Sequence, residues 1–432
     1  MLLDSVLSFE WYNFFPAMEF LVDSVMALNE TNASVKLSAL VVGGGMITEE
    51  VILPTLFQQH RDGAIGDITL VSRRAATIRR LQGLFPNRFA GIPNAAETDL
   101  EASHPRLFED TIQKLPRPAV VIVATPDHLH TPVILAAIEA GHHVIVEKPL
   151  CLKVREVHQI QRAAEGRGVY VLTDYHKRHD PAIRGAKYKF GQGELGQMLH
   201  GHAWIEERRE IPLKFFARWC DQSSPFEYIG VHYVDAYYFI TGLKPRRMVA
   251  FGQKKLLPKH GKDAFDAVQA TIEWEDGSVF WVQTAWVCSE HNSALTNQGM
   301  QLLGTEGEYW ADHKARNCHF VTQKNGYEDY NPNFFKTFDS WDTHTDLDVA
   351  GYGYQSIVQG IRDIAWLYRE TSTLSEEAAL QKRRRLIRSL EPKRALPSQA
   401  LIGTSVNEAV RLSIAHQSCY VSFDREMYPQ IG

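Results

Sequence analysis

Val144-Ile145-Val146-Glu147-Lys148-Pro149 runs an apolar strand straight into a glutamate, a lysine and a proline. Charged side chains at the end of a buried strand are costly unless something uses them. In open α/β sheets ligands bind outside the carboxyl ends of the strands, so Glu147 and Lys148 mark a candidate site. Upstream, Ala119-Val120-Val121-Ile122-Val123-Ala124 is an unbroken apolar run closed by Thr125-Pro126, the pattern of a parallel strand buried on both faces. Between the two, Thr131 to Ala140 has helical periodicity, and Gly141 stands where a C-cap belongs. The unit is strand, helix, strand, with the charged pair at its exit. The plainer alternative is a structural Lys–Glu ion pair ahead of a turn-forming proline.

A second signal lies nearer the start. Leu37-Ser38-Ala39-Leu40-Val41-Val42 leads directly into Gly43-Gly44-Gly45-Met46-Ile47-Thr48. Glycines between a strand and a helix allow a tight turn and close approach of a pyrophosphate, which then rests on the helix N-terminus. The pattern is G-x-G-x-x-T, with the third glycine missing, and its weight comes from opening the first strand–helix unit of an alternating chain. The next buried strand, Ile68-Thr69-Leu70-Val71, ends in Ser72-Arg73-Arg74. An acid there would grip a ribose 2′-hydroxyl, whereas hydroxyl and guanidinium groups suit a 2′-phosphate. NADP is therefore the expected cofactor. The alternative is an NAD site with Arg73 and Arg74 solvated at a helix start.

Composition is compatible with two ordinary cores: 432 residues, 44% hydrophobic and 22% charged. A formal charge of −5 gives no reason to expect nucleic acid or an anionic membrane as partner. Cys151, Cys220, Cys288, Cys318 and Cys419 are scattered without a Cys-x-x-Cys pair, which argues for a reducing, cytoplasmic setting. No apolar run is long enough to span a bilayer. Met1 to Leu28 are apolar and aromatic but carry Asp4, Glu10, Glu19 and Asp23 and lack a basic start, unlike a signal peptide. Residues 1–34 are read as an extension, either a helical arm or an over-long start.

Helix signals cover Glu49 to His60, Ala75 to Leu84, Val154 to Glu165 and Pro181 to Phe190, and Val169 to Thr173 is a short strand. After Gly196 the period becomes two. Gln269 to Trp274 and Val279 to Thr284 flank Glu275-Asp276-Gly277-Ser278, a strong hairpin signal. The basic run Lys382-Arg383-Arg384-Arg385 with Arg388 lies among Glu376, Glu377 and Glu391 and reads as a solvated helix face.

A second chemical cluster sits in Pro225 to Asp235. On a regular helix Tyr228, His232 and Asp235 fall at i, i+4 and i+7 and share a face. Phenol, imidazole and carboxylate together suit proton transfer to a bound hydroxyl. An isolated histidine on an apolar helix is more often a satisfied core residue, but three polar groups on one stripe favour the site.

These pieces, in this order, resemble the glucose–fructose oxidoreductase / inositol dehydrogenase (Gfo/Idh/MocA) family of nicotinamide-dependent oxidoreductases. The matching stretches are Val41 to Ile47, Ala124-Thr125-Pro126-Asp127-His128-Leu129-His130, and Ala140 to Pro149. Tyr175-His176-Lys177-Arg178-His179-Asp180-Pro181, Gly193-Glu194-Leu195-Gly196, Gly304-Thr305-Glu306-Gly307 and a helix from Ser405 to Tyr420 extend the likeness. The resemblance implies a fold of α/β plus α+β type. A Rossmann dinucleotide-binding domain spans 35–175, and a C-terminal domain on a large, open, mostly antiparallel sheet spans 176–432. It implies cofactor contacts from Gly43, Gly45, Met46, Ile47, Ser72, Arg73, Arg74, Thr125, Pro126, His128, His130, Glu147 and Lys148. In the family the helix reads Asp-x-x-x-His-x-x-Asp, with the histidine as acid/base and the first aspartate assisting. His232 and Asp235 match, and Tyr228 stands where that aspartate belongs. Glu227, next door, points elsewhere on a regular helix.

Oxidising a secondary alcohol needs its C–H aimed at the nicotinamide and its O–H proton removed as hydride leaves. Lys148 is expected to bind the reacting oxygen, and His232 to serve as base. Arg178, Tyr228 and Asp235 complete the expected contacts to a sugar, cyclitol or sugar acid. Trp204 to Arg209 and Phe216 to Trp219 are candidate pocket walls. The pairs His128/His130, His142/His143 and His176/His179 lack a carboxylate or cysteine at matching spacing, so no metal is expected. Other readings are a non-catalytic NADP-binding sensor or scaffold, and a reductase of an imine, unsaturated ring or tetrapyrrole. Trp274, Phe280, Trp281 and Trp286 lie on a sheet with more aromatic surface than the domain's helices cover. That predicts a homodimer or homotetramer joined through the sheet.

Overall fold

The computed structural model describes residues 35–341 and 347–432; the expected N-terminal extension lies outside them. Six parallel strands, β1 (Leu37–Val42), β2 (Ile65–Val71), β3 (Ala90–Ile92), β4 (Ala119–Val123), β5 (His143–Glu147) and β6 (Val171–Asp174), form the first sheet. Their order is β3-β2-β1-β4-β5-β6. Every residue of β4, β5 and β6 is buried, which is why their sequences are continuous rather than alternating. Helices α1 (Leu53–Arg61), α2 (Ala75–Leu84), α3 (Leu107–Gln113), α4 (His130–Glu139) and α5 (Val154–Arg167) connect the strands. The order reverses between β1 and β4, the kind of switch point at whose carboxyl edge ligands bind in open α/β sheets.

Beyond α6 (Pro181–Gly191), the second sheet begins with β7 (Met198–Arg208), followed after α7 (Val231–Thr241) by β8 (Pro245–Gln253), β9 (Ala267–Trp274) and β10 (Val279–Cys288). β11 (Thr296–Gly304) and β12 (Glu308–Asp312) complete one edge. β7 and β10 pair in parallel, and the other pairings are antiparallel. The Asp276-Gly277 hairpin sets Glu273 opposite Val279. Along β10, Phe280, Val282, Thr284 and Trp286 are buried while Val279 and Trp281 are exposed. The expected aromatic set therefore divides. Trp274, Phe280 and Trp286 belong to the helix-covered core, because the side chains of a strand alternate. Trp281 alone of the four is exposed, as are Leu199, Phe251 and Trp310 on other strands of the sheet.

Past β12 the chain forms two small hairpins, β13 (His319–Thr322) with β14 (Gly326–Asp329) and β15 (Lys336–Asp339) with β16 (Leu347–Ala350). β16 docks on α1: Val349 N–H donates to Gln58 Oε1 at 2.6 Å, and Arg61 pairs with Asp348 at 2.7 Å. The next helix, α8 (Tyr352–Thr371), returns to the first sheet, where Gly360 packs so closely on Ile145 that a Cβ would sit 2.6 Å from its Cδ1. α9 (Glu376–Leu390) carries the basic run. Its Arg384 donates to the carbonyls of Glu165 and Gly166 at 2.8 and 2.6 Å, a cation at the C-terminal end of α5. α10 (Pro397–Ala415) covers the second sheet and leads to β17 (Val421–Phe423) and β18 (Pro429–Ile431), which finish its far edge. The helix read over Ser405 to Tyr420 thus starts eight residues earlier, at Pro397 in the N1 position, and ends at Ala415.

Candidate active site

The glycine turn after β1 is built as its composition demands. Gly43 has φ +109°, and a Cβ there would lie 2.2 Å from the Ala124 carbonyl oxygen. Gly45 faces open space, with nothing within 4 Å of its would-be Cβ. Thr48 takes the place of the third glycine and is fully buried. Its hydroxyl donates to the Gly43 carbonyl at 2.9 Å, which ties the first helical turn back to the loop. Met46 instead packs against the apolar core of the second sheet.

At the end of β2, the Ser72 N–H donates to the Ile92 carbonyl at 2.9 Å, and the Arg73 carbonyl accepts from the His104 N–H at 2.8 Å. Arg73 is exposed and Arg74 half-buried, and Arg74 Nε is buried without a partner. Thr125 Oγ1 and His232 Nδ1 are unpartnered in the same way. Buried polar atoms are normally satisfied, so these three are open to groups that a nicotinamide cofactor and a substrate would bring.

His130 has both ring nitrogens engaged by backbone carbonyls. It is fully buried, with Nδ1 2.8 Å from the Pro149 carbonyl and Nε2 2.9 Å from the Thr125 carbonyl. It ties the loop after β4 to the loop after β5, and so positions Thr125 and Lys148. His128, two residues earlier, lies at the surface. Just ahead of it, Asp127 is buried and accepts from Ser223 Oγ at 2.8 Å.

Lys148 is buried, and its Nζ donates to the Tyr228 carbonyl at 2.6 Å while lying 3.6 Å above that residue's ring. Burial pushes the ammonium below its ordinary pKa, against the pull of Asp127, Glu147, Glu207 and Asp174. Register sets Glu147 beside Asp174 on β6. Burial, then Asp174, raises the Glu147 carboxyl, and burial raises Asp174 as well.

Tyr228 lies in a wide, π-type turn, Phe226–Gly230, ahead of α7. The regular i, i+4, i+7 stripe therefore holds only from His232 onward. His232 is buried and its ring centroid is 4.5 Å from that of His176. Burial, then His176, Lys148 and Lys177, holds its imidazole well below the usual range, in the neutral, proton-accepting form. Asp235 does not complete a relay with it. Arg178 grips both Asp235 oxygens at 2.8 and 2.6 Å and reaches Gln399 at 2.9 Å. Asp235 and Arg178, expected as substrate contacts, form a buried pair that fixes α7 against the turn His176–His179, a buried guanidinium and carboxylate satisfying each other. Glu227 is held by Arg411, away from His232 as its helical position predicts.

The structure adds residues that the sequence pattern did not single out. Lys177 Nζ donates to Gln298 Oε1 at 2.5 Å, lies 5.0 Å from the Tyr233 ring, and is brought down to about 7 by burial. The His176 ring meets Phe334 and Tyr352 at 5.2 and 5.6 Å, which makes an aromatic wall from the segment after β12. His176 and Lys177 follow the end of β6 as Lys148 follows β5, a positional signal; Phe334 and Tyr352 had none. Among the described residues, no cluster of His, Cys, Asp or Glu is arranged to hold a metal ion. Among them, too, no helix is long and apolar enough to cross a membrane.

This architecture matches known proteins. Residues 37–175 match the family model described as oxidoreductase family, NAD-binding Rossmann fold, and 183–310 match the GFO/IDH/MocA C-terminal domain. Levoglucosan dehydrogenase of Pseudarthrobacter phenanthrenivorans is 26% identical over 222 residues, 46% of this chain and 56% of that protein. The scyllo-inositol 2-dehydrogenase (NAD(+)) of Bacillus subtilis is 24% identical over 204 residues, 46% of this chain and 57% of that one. The matched stretches thus span little more than half of these relatives' lengths. In three dimensions, an inositol dehydrogenase homolog from Azotobacter vinelandii, solved with NADH and myo-inositol, superposes with a TM-score of 0.64. It is 18% identical, over 90% of this chain and 98% of that one. The glycine turn, the Glu147-Lys148 strand end and both matched regions together place the chain in the Gfo/Idh/MocA family of NAD-binding oxidoreductases.

Proposed function

We propose that this protein transfers hydride between a nicotinamide cofactor, NADP in preference to NAD, and a secondary hydroxyl or carbonyl of a sugar, cyclitol or sugar acid. The observation that carries the reading is a buried Lys148 just past β5 whose charge acts on a buried His232 with an unpartnered Nδ1. The bound cofactor supplies or accepts the hydride at its nicotinamide ring. Lys148 holds the reacting oxygen and offsets the negative charge that grows on it. His232, neutral in its buried setting, takes the hydroxyl proton during oxidation and returns it during reduction. Arg73 and the unpartnered Nε of Arg74 support recognition of a 2′-phosphate. Lys177, Gln298 and the wall of Phe334 and Tyr352 suit a polyhydroxylated ring, with polar edges and an apolar face.

The outward sheet face, with Trp281 stacked on His202 at 4.4 Å and Trp204 near Trp310 at 6.3 Å, supports association into a dimer or a dimer of dimers. Five free cysteines support a cytoplasmic setting. The test is nicotinamide absorbance change when pure protein meets NADP or NAD and a panel of sugars, cyclitols and sugar acids. Turnover of at least one is expected. Tight cofactor binding with no turnover across the panel would leave a cofactor-binding sensor as the better reading.

A further inference from the structure

The helix of this chain lacks a carboxylate where Tyr228 stands, yet a carboxylate does reach the site from another direction. On β7, Ala203, Ile205 and Glu207 alternate inward and are all buried. The first two join the core of the second sheet, and the third puts an acid at the end of an apolar row. Glu207 Oε2 accepts from the indole N–H of Trp286 at 3.0 Å. That indole lies 6.2 Å from the Tyr228 ring, the ring beneath the Lys148 ammonium. The neighbouring arginine is engaged elsewhere: Arg208 donates to the carbonyls of Ala294, at 3.1 Å, and Asn292. Lys148 is the cation whose field acts on Glu207, and Glu207 shares that ammonium with Asp127 and Glu147, whose pull on it is larger, and with Asp174. A buried carboxylate with one neutral donor is poorly satisfied unless a cation serves it.

We infer that Glu207 supplies from β7 the carboxylate that the α7 region lacks, acting as counter-charge to the Lys148 ammonium while that ammonium holds the reacting oxygen. Glu207 is a positioning residue in this account, since it works through Lys148. The inference rests on the proposed dehydrogenase reading. Burial raises its carboxyl to about 7, so it gains its charge near neutrality, where the ammonium needs a partner. Asp127, Glu147 and Asp174 face the same ammonium, and Glu147 and Asp174 are raised to about 8 and about 7, so kcat/KM rises as Glu207 and these carboxyls ionise and falls as Lys148 loses its proton.

Two measurements test it. With a substrate found by the panel, Glu207→Gln should make the rising limb shallower, leaving the share of Glu147 and Asp174, and move the falling limb to lower pH. Glu207→Asp should keep both limbs, and NADPH affinity should stay within about threefold in both variants, since neither alters a proposed cofactor contact. A Glu207→Gln profile that overlays the wild type would overturn the inference. The second measurement needs no substrate: pH-difference infrared spectra of the free protein at the protonated-carboxyl stretch. Asp174 and Glu147, raised to about 7 and about 8, absorb there too, so Glu207→Gln should remove one component of the band titrating near neutrality, and the midpoint of that component should rise by about one pH unit or more in Lys148→Met, as for a carboxyl losing a cation. A midpoint unmoved by Lys148→Met would refute the pairing. If no substrate turns over, the dehydrogenase reading fails, while the infrared result still decides whether Glu207 and Lys148 are partners.

Discussion

The Lys148 ammonium donates to the backbone carbonyl of Tyr228 at 2.6 Å and rests 3.6 Å above the same residue's ring. One residue thus offers the lysine both an acceptor and a π face, and neither depends on the phenolic hydroxyl. The Tyr228 ring is itself wedged against Phe216, Trp219 and Trp286 at 4.7, 6.0 and 6.2 Å.

Tyr228→Phe should therefore keep turnover within about fivefold of wild type, the scale of one neutral hydrogen bond. Tyr228→Ala removes the ring beneath the ammonium and opens a cavity, and should lower stability by about 3 kcal/mol and turnover by more than about tenfold. Paired kinetics and thermal melts would show it. A Tyr228→Phe variant as poor as Tyr228→Ala would give the phenol a direct chemical role.

Arg74 is expected to govern cofactor choice. Arg74→Ala should weaken NADP binding about tenfold or more, the loss of a charge-assisted contact, and leave NAD binding nearly unchanged. Fluorescence titration with both cofactors measures this, and equal losses for both would remove the 2′-phosphate argument.

The strand-helix-strand unit around Lys148 was legible because buried parallel strands are written as unbroken apolar runs, and β4 and β5 each fall within one. Gly43 announced its own turn, since no side chain fits against Ala124. The relationship of Asp235 to Arg178 was not legible: the partners are separated by 57 positions, and helical spacing alone favoured His232 as neighbour. Nor was the contact of Tyr228 with Lys148, which runs through a backbone carbonyl that every residue type possesses. The wide turn Phe226–Gly230 broke the regular stripe on which the sequence reading relied. α8 escaped notice although it is twenty residues long. Its partners are strands β5 and β6 of the first sheet, some two hundred positions upstream, so no neighbouring repeat pointed to it. The four-aromatic reading of the second sheet erred in mixing side chains of both faces, since only the pairing parity separates Trp281 from Phe280 and Trp286.

The Asp235–Arg178 pair makes a stability prediction. Asp235→Ala leaves a buried guanidinium without its charge partner and should lower stability by about 3–5 kcal/mol. Denaturant melts measure it, and a loss below about 1 kcal/mol would show the pair to be dispensable.

Glu207 should be unfavourable for stability in a pH-dependent way. Its carboxyl is raised from an ordinary 4.5 to about 7 in the folded protein. A carboxyl raised by folding favours the folded state while protonated, so that advantage is complete below pH 4.5 and is lost as pH rises through 7. Glu207→Gln imitates the protonated form. It should stabilise the free protein by about 3 kcal/mol near pH 8 and by almost nothing near pH 4.5. Thermal melts at both pH values measure this, and an equal effect at the two would contradict it.

The outward face of the second sheet should hold the assembly together. Light scattering of the wild type should give a multiple of the 49.1 kDa chain mass, and Trp281→Glu with Trp310→Glu should return it to a single chain. A wild-type mass of one chain would refute association through this face.

The claim on which the rest depends is that Lys148 acts on the substrate's reacting oxygen. Lys148→Ala, assayed with NADPH titration and steady-state turnover on the same preparation, tests it most directly. The account predicts a loss of turnover of about a hundred- to a thousandfold, as when an oxyanion-stabilising donor is removed, with cofactor binding largely intact. Near-wild-type turnover by the variant would contradict it.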